Sequence, residues 1–446
     1  MKKSADPYQL LHEGTRAFAA IEAAGIRIDR DYLARTEADI GTRIAEIEDR
    51  LRATEVWAAW ARRFGSGANL RSTTQLGAVL FEELELPVVK RTATGRPAVG
   101  EEDLLTLDHP FVADYLRMRK FEKLRGTYLR GIARHVTADG YLHPSFNLNI
   151  AHTYRSTCDS PNFQNIPIRE KEYAAWIRRA FVPRPGNVLV EIDYSQIEVR
   201  IAACYHRDPT MLRYIATDYD MHHDMATECF RLDPAEVTSD IRAIAKGSFV
   251  FAEFYGDYYV KVAKNLQRRI AIEKPRTASG TTLGKHLRRT GLDDPARFEA
   301  HVHDVESRFW DVRFPVYRDW RVAFWRTYLK RGWFDYLTGF RIRGVYTRNE
   351  VVSYPIQGSA FHCLLWAVPR VVRWVRLRSP RSYVVGQIHD SIVADVHKPD
   401  VPDFVAAAVR IMTVDLPRAW PWIVTPLKAN AEVSETNWWE KQKYKP

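Results

Sequence analysis

Two aspartates, Asp193 and Asp390, have the residue type and setting from which chemistry can be argued. Asp193 ends the β-rich run Val188-Leu189-Val190-Glu191-Ile192-Asp193, and Asp390 lies in His389-Asp390-Ser391 between two apolar runs. Two strand-end carboxylates are what a two-metal phosphoryl-transfer site needs, because two divalent ions about 3.5 to 4 Å apart clamp the attacking and leaving oxygens. Mg²⁺ suits such a pair, since it takes one or two carboxylates plus substrate phosphates and keeps its waters. By themselves, two acids this far apart in sequence carry little meaning, and a His-Asp dipeptide is an ordinary turn. Their surroundings decide.

The elements that must position them are readable. After Asp193, Ile197, Arg200, Ile201 and Cys204 recur at helical spacing, so a strand delivers Asp193 to a helix start. Residues 383–388 and 392–396 read as two strands, a hairpin with Asp390 at its tip. Near the start, Ile40, Ile44, Ile47 and Leu51 fall on one face of an amphipathic helix. Residues 65–72 and 87–100 read as irregular connections, and 206–334 as mostly helical. Arg117, Arg119, Lys120, Lys123, Arg125, Arg130 and Arg134 crowd one expected helix with Glu122 as its only acid, and a second basic stretch runs from Lys261 to Arg289.

The 446 residues suffice for two to four domains with large cores, which excludes a peptide hormone or a small disulfide scaffold. A net charge of +11 suits a polyanion partner such as nucleic acid. The cysteines, Cys158, Cys204, Cys229 and Cys363, form no C-x-x-C pair and look like free thiols of a reducing compartment. No secretion signal and no run of 18 apolar residues appears, so the expected location is cytoplasmic, with no membrane partner.

Asp193-Tyr194-Ser195-Gln196-Ile197-Glu198-Val199-Arg200 resembles the first carboxylate motif of the family A DNA polymerases, the bacterial DNA polymerase I type. Gln387-Ile388-His389-Asp390 resembles that family's second carboxylate motif. Between them, Arg242, Lys246, Tyr255 and Gly256 resemble the fingers helix that grips the incoming triphosphate. Thr153-Tyr154-Arg155 with Pro161 to Arg169, and Tyr354 to Ala360, are similar to the minor-groove segments. The matches keep the family's order over about residues 15 to 395.

The resemblance implies an α+β right-hand polymerase fold with helical thumb and fingers and an antiparallel palm sheet. It divides the chain into an N-terminal segment and thumb (1–145), palm (146–205), fingers (206–334) and palm again (335–446). It implies template-directed addition of deoxynucleotides to a primer 3′ end, with primer-template DNA and deoxynucleoside triphosphates as partners. Two Mg²⁺ ions, with Mn²⁺ as a substitute, would be held by Asp193, Asp390 and the Tyr194 carbonyl. Arg242 and Lys246 would neutralise the triphosphate, Lys246 protonating the pyrophosphate, and His222 and Gln196 would add nucleotide contacts. Glu198, walled by Tyr255, would exclude a ribose 2′-hydroxyl. Arg155, Gln164, Asn165 and Gln357 would contact DNA from the minor-groove side, His389 the primer terminus, and Lys123 and Arg130 the duplex backbone.

The sequence departs from the family at several places. Lys246 to Tyr255 is nine residues where the family has eight, and one residue adds about 100° of helical rotation. A π-bulge or unwound turn near Gly247 to Val250 is expected to absorb it, placing Phe251 one turn before Tyr255 at the sugar's 3′ side. Ser391 stands where a third acid is usual, Tyr154 replaces a Gly, and Ser353 an Asn. A start near residue 15 leaves no room for the family's 3′ to 5′ exonuclease or 5′ nuclease, so the expectation is that a separate exonuclease chain edits, that the chain is a trimmed piece of a longer one, or that fidelity rests on the fingers alone. A bacteriophage enzyme in a bacterial cytoplasm, with replication accessory proteins, fits that compact form. The rival readings are a single-subunit RNA polymerase, against which Glu198 argues, and an inactive DNA-binding subunit on the same scaffold, against which both retained carboxylates argue.

Overall fold

The computed structural model describes residues 6–107, 109–168 and 170–445. The chain divides into two compact units, one made of residues 28–140 and 166–180, the other of residues 1–27, 141–165 and 181–446. The N-terminal helix Pro7–Ala24 therefore belongs with the sheet-bearing unit, where it packs on the Tyr383–Ile388 strand and the helix Arg348–Arg378.

The smaller unit is helical. Helix Arg30–Arg52 starts where the Asp29 side chain accepts from the Tyr32 N–H (2.8 Å), satisfying a donor the helix itself leaves unpaired. It buries Ile40, Ile44, Ile47 and Leu51, the stripe its sequence announces. The basic helix spans Pro110–Lys123, passes through a π turn at Leu124–Leu129 and resumes at Arg130–His135. Phe121 stacks on Trp176 with centroids 5.6 Å apart, and the Arg43 guanidinium lies over the Trp176 ring, 4.9 Å from its centroid.

The larger unit is built on a five-stranded antiparallel sheet in the order Gln442–Lys443, Ala429–Ser434, Asn187–Tyr194, Ser391–His397, Tyr383–Ile388. The two central strands are buried along most of their length, which explains their nearly continuous apolar sequence. Gly386 lies at an irregularity in the edge pairing, and a Cβ there would meet the Phe163 ring at 2.5 Å. Residues 197–331 are mostly helical and share a core that includes Val262, Leu266, Phe249, Phe309, Phe314 and Tyr317. The long helix Arg348–Arg378 opens on a capping box between Thr347 and Glu350. Gly358 on this helix faces so close a neighbour that a Cβ would lie 2.2 Å from the Tyr336 ring and 2.4 Å from the Thr153 carbonyl oxygen. All four cysteines are free and buried. No helix among the described residues is long and apolar enough to cross a membrane.

Candidate active site

Strand pairing brings the two aspartates together. Asp193 is the register partner of Ser391, the residue after Asp390, and the Tyr194 N–H donates to the Asp390 carbonyl (3.2 Å). His389 adopts the left-handed backbone (φ 48°) that the two-residue turn requires, presenting Asp390 at the tip. Both carboxyl groups are pushed above the ordinary range. Desolvation, then the Glu191 charge, raises Asp193 to about 6, although its outer edge meets solvent. Desolvation, then Glu198, raises Asp390 to about 7, with Asp193 adding to the repulsion. Two adjoining carboxyl groups, each made costly to ionise by its surroundings, are a hard-oxygen donor set that fits a divalent cation. Among the described residues no group of three or more His, Cys, Asp or Glu is arranged to hold a metal, so any ion here would draw further oxygens from elsewhere.

The helix carrying Arg242 runs Ser239–Ala245, continues as a π turn over Lys246–Val250 and resumes at Phe251–Phe254. The Phe251 N–H bonds to the Lys246 carbonyl, five residues back, so the extra residue is absorbed where the spacing requires it. Three side chains stay aligned in consequence. Lys246 Nζ lies 5.3 Å from the Phe251 ring centroid, and the Phe251 and Tyr255 rings are 6.3 Å apart. Burial, with Arg242 nearby, lowers the Lys246 pKa.

His222 is buried rather than on the surface, edge-on to Phe251 at 5.7 Å, and its Nδ1 has no hydrogen-bond partner. Burial, then Lys246 and Arg242, pushes it down to about 4, so it is neutral at physiological pH. Asp220 holds Arg242 by contacts of 2.7 and 3.1 Å to Nε. A cavity of about 260 Å³ is lined by Gln196, Arg200, Asp218, Asp220, His222 and Arg242 among others. Gln196 enters it from a left-handed backbone (φ 55°) at the start of helix Ile197–His206.

Glu198, on the first turn of that helix, pairs with Arg155 and accepts from the Tyr255 hydroxyl. Burial, then the Glu198 charge, raises the Tyr255 pKa, so the phenol stays a donor. Tyr154 keeps the left-handed backbone (φ 54°) natural to the glycine it replaces, and its ring packs on Phe340 at 4.7 Å. Gln164 Nε2 donates to Ser156 Oγ (2.9 Å) and to Gln387 Oε1 (2.7 Å), and Gln387 Nε2 donates to the His389 carbonyl (2.7 Å). Gln357 lies on the Arg348–Arg378 helix, one residue before Gly358, and Asn165 ends the short helix Phe163–Asn165. Arg169 lies outside the described residues.

In the smaller unit the basic helix is less bare than its sequence suggests, because acids arrive from other segments. Arg125 and Arg130 both reach Glu37 (2.6 and 2.9 Å), and Lys120 pairs with Glu101 and Glu170 (2.9 and 2.8 Å). Lys123 ends the Pro110–Lys123 segment.

Several participants escaped sequence reasoning. Asp220 and Ser156 had no periodic or motif signal of their own. Glu191 had one: side chains alternate along a strand, so an acid two residues before Asp193 must share its face.

A family model described as DNA polymerase family A matches residues 30–279, more than half of the chain. DNA polymerase I of Lactococcus lactis subsp. cremoris is 30% identical over 429 residues, covering 95% of this chain and 44% of that protein. DNA polymerase I of Bacillus subtilis is 29% identical over 388 residues, covering 85% and 40%. The chain thus spans less than half the length of these relatives. The solved POL domain of Pol1 from M. smegmatis, in complex with DNA primer-template and dNTP, superposes with a TM-score of 0.77 at 26% identity, over 96% of this chain and 70% of that one. Paired carboxylate strands and this breadth of likeness agree, and the chain belongs to DNA polymerase family A.

Proposed function

We propose that the chain is a template-directed DNA polymerase that joins a deoxynucleoside triphosphate to a primer 3′ end. The observation that carries this reading is the pairing of the Asp193 strand with the Asp390 turn. The primer 3′-hydroxyl attacks the α-phosphate, the bond to the β-phosphate breaks, and pyrophosphate leaves. Divalent ions, Mg²⁺ with Mn²⁺ as substitute, supply charge compensation at the reacting oxygens when bound, and Asp193, Asp390 and the Tyr194 carbonyl are the groups that would hold them.

The remaining work is positioning and charge. Arg242 exchanges Asp220 for the triphosphate, and neutral His222 donates to a phosphate oxygen. Lys246, its pKa lowered by burial, gives its proton to the leaving pyrophosphate more readily than an exposed lysine would. Glu198, fixed between Arg155 and Tyr255, closes the space a 2′-hydroxyl would need, and Phe251 lies under the sugar's 3′ side. Arg155, Gln164, Asn165 and Gln357 read pair shape from the minor groove, His389 lies beside the primer terminus, and Lys123 and Arg130 of the smaller unit, the thumb of this reading, follow the duplex backbone. Residues 206–334 serve as fingers, and the sheet with its covering helices as palm.

Primer extension with Mg²⁺ and deoxynucleotides tests it. Asp193→Ala and Asp390→Ala should each abolish extension while leaving primer-template affinity within about threefold. Near wild-type extension by either variant overturns the assignment.

A further inference from the structure

One face of the sheet gathers acids around Asp193. Glu191 shares that face by strand alternation, and the register sets Glu432 directly opposite Glu191, with Ser391 and Asn430 opposite Asp193. Like charges facing each other across a strand pair are destabilising. Lys441 resolves the conflict, its Nζ lying 2.6 Å from Glu191 Oε2 and 2.9 Å from Glu432 Oε2. The Lys441 and Glu191 side chains are only 11% and 12% exposed, so solvent does little to weaken the pair.

Glu191 is held on three sides. Besides Lys441, it accepts from Trp438 Nε1 (2.7 Å) and from the Ser391 hydroxyl on its other oxygen (3.1 Å). Trp438 is itself fixed, stacked on Phe163 with centroids 5.1 Å apart and donating its backbone N–H to the Phe181 carbonyl (2.9 Å). A path of contacts thus runs from Lys441 through Glu191 to Ser391, the residue bonded directly to Asp390.

Resting on the polymerase reading, we propose that Lys441 is a positioning residue that serves as a built-in cation. By bridging Glu191 and Glu432 and offsetting one of their two charges it leaves Asp193 and Asp390 as the carboxylates that draw divalent ions, and it keeps Glu191 on the Ser391 hydroxyl at the base of the Asp390 turn. Without the ammonium group, the charges of Glu191 and Glu432 stand uncompensated on the strand pair beside Asp193 and attract the same ions. Lys441 reaches no substrate. It acts through the strand that bears the metal carboxylates.

The test uses the full chain and Mn²⁺ alone, titrated by electron paramagnetic resonance, together with steady-state primer extension in Mg²⁺. Lys441→Met should take up more Mn²⁺ than wild type at the same free concentration and lose about 10- to 100-fold in kcat, the range for groups that orient metal ligands. Its KM for deoxynucleotide should stay within about twofold. Glu191→Gln/Lys441→Met, which removes the stranded charge as well, should return both Mn²⁺ uptake and kcat to within about threefold of wild type. Equal Mn²⁺ uptake by all forms, or a double variant no better than Lys441→Met, overturns the proposal. If Lys441→Met does not fold, Lys441→Arg and the double variant decide, since both keep the charge balanced and excess Mn²⁺ uptake by either refutes it. A wild-type chain that binds Mn²⁺ yet extends no primer sinks the polymerase reading and leaves the Mn²⁺ comparison standing.

Discussion

Lys246 stands over the ring of Phe251 across a helical turn that holds one residue more than an α-turn, its Nζ 5.3 Å from the ring centroid. The extra residue is neutral in register, since the π turn returns Phe251 and Tyr255 to the face that Lys246 occupies. Deleting solvent-exposed Gly247 should therefore give a continuous α-helix and keep extension within about tenfold of wild type. Inserting an alanine after Gly247 should cost about 100-fold or more in kcat/KM, because a second extra residue swings Tyr255 off Glu198. Steady-state extension by both variants checks this, and equal damage by deletion and insertion would refute the register argument.

Glu198 is tied to Arg155 and to the Tyr255 hydroxyl. Glu198→Ala should raise ribonucleotide incorporation relative to deoxynucleotide. Tyr255→Phe, which removes one hydrogen bond to a carboxylate, should relax the same ratio by about 10- to 100-fold, the equivalent of about 1.5–3 kcal/mol. Competitive single-nucleotide insertion measures it. An unchanged ratio in Glu198→Ala would show that the sugar is selected elsewhere.

Glu253 lies fully buried two residues after Phe251, accepting from Trp310 Nε1 (2.8 Å), with Glu306 behind it and the Arg321 guanidinium over the Trp310 ring at 4.3 Å. Burial, then Glu306, raises its pKa to about 8. A carboxyl raised in the folded state keeps a proton that the unfolded chain releases, so its stabilisation is complete below the ordinary Glu range and is lost as pH climbs to about 8, by at most about 1.4 kcal/mol per pH unit. Glu253→Gln cannot lose a proton. Its melting temperature relative to wild type should rise between pH 5.5 and pH 9, and parallel melting curves across that range would contradict the account.

Gly358 admits no side chain, because a Cβ would meet a ring carbon at 2.2 Å and a backbone oxygen at 2.4 Å. Gly358→Ala should destabilise by about 1–3 kcal/mol, as overpacking does. Its neighbour Gln357, substituted by Ala, should leave the melting temperature unchanged and weaken primer-template use. Thermal melts beside extension assays separate the two.

Much of this site was legible from residue order. Alternating and apolar runs located the Asp193 strand and the Asp390 hairpin, because a buried strand pair writes its burial into consecutive residues. Set against the eight residues of the family motif it resembles, the nine-residue Lys246 to Tyr255 spacing implied an irregular turn, since helical geometry leaves few ways to absorb one residue. What could not be read were contacts that depend on distant segments meeting. Glu37, Glu101 and Glu170 temper a helix that looked uniformly basic, and Asp220 meets Arg242 from 22 residues away. Lys441 lies 250 residues from Glu191, and no local pattern joins them.

Gln387 is buried, with its carbonyl oxygen engaged by Gln164 and Ser156 and its amide nitrogen by His389. Because one rigid planar group joins both ends, a tug on Gln164 from a misshapen base pair would, on the polymerase reading, be felt at the peptide next to Asp390. Accuracy and speed would then answer to the same lever, with a wrong pair slowing its own incorporation.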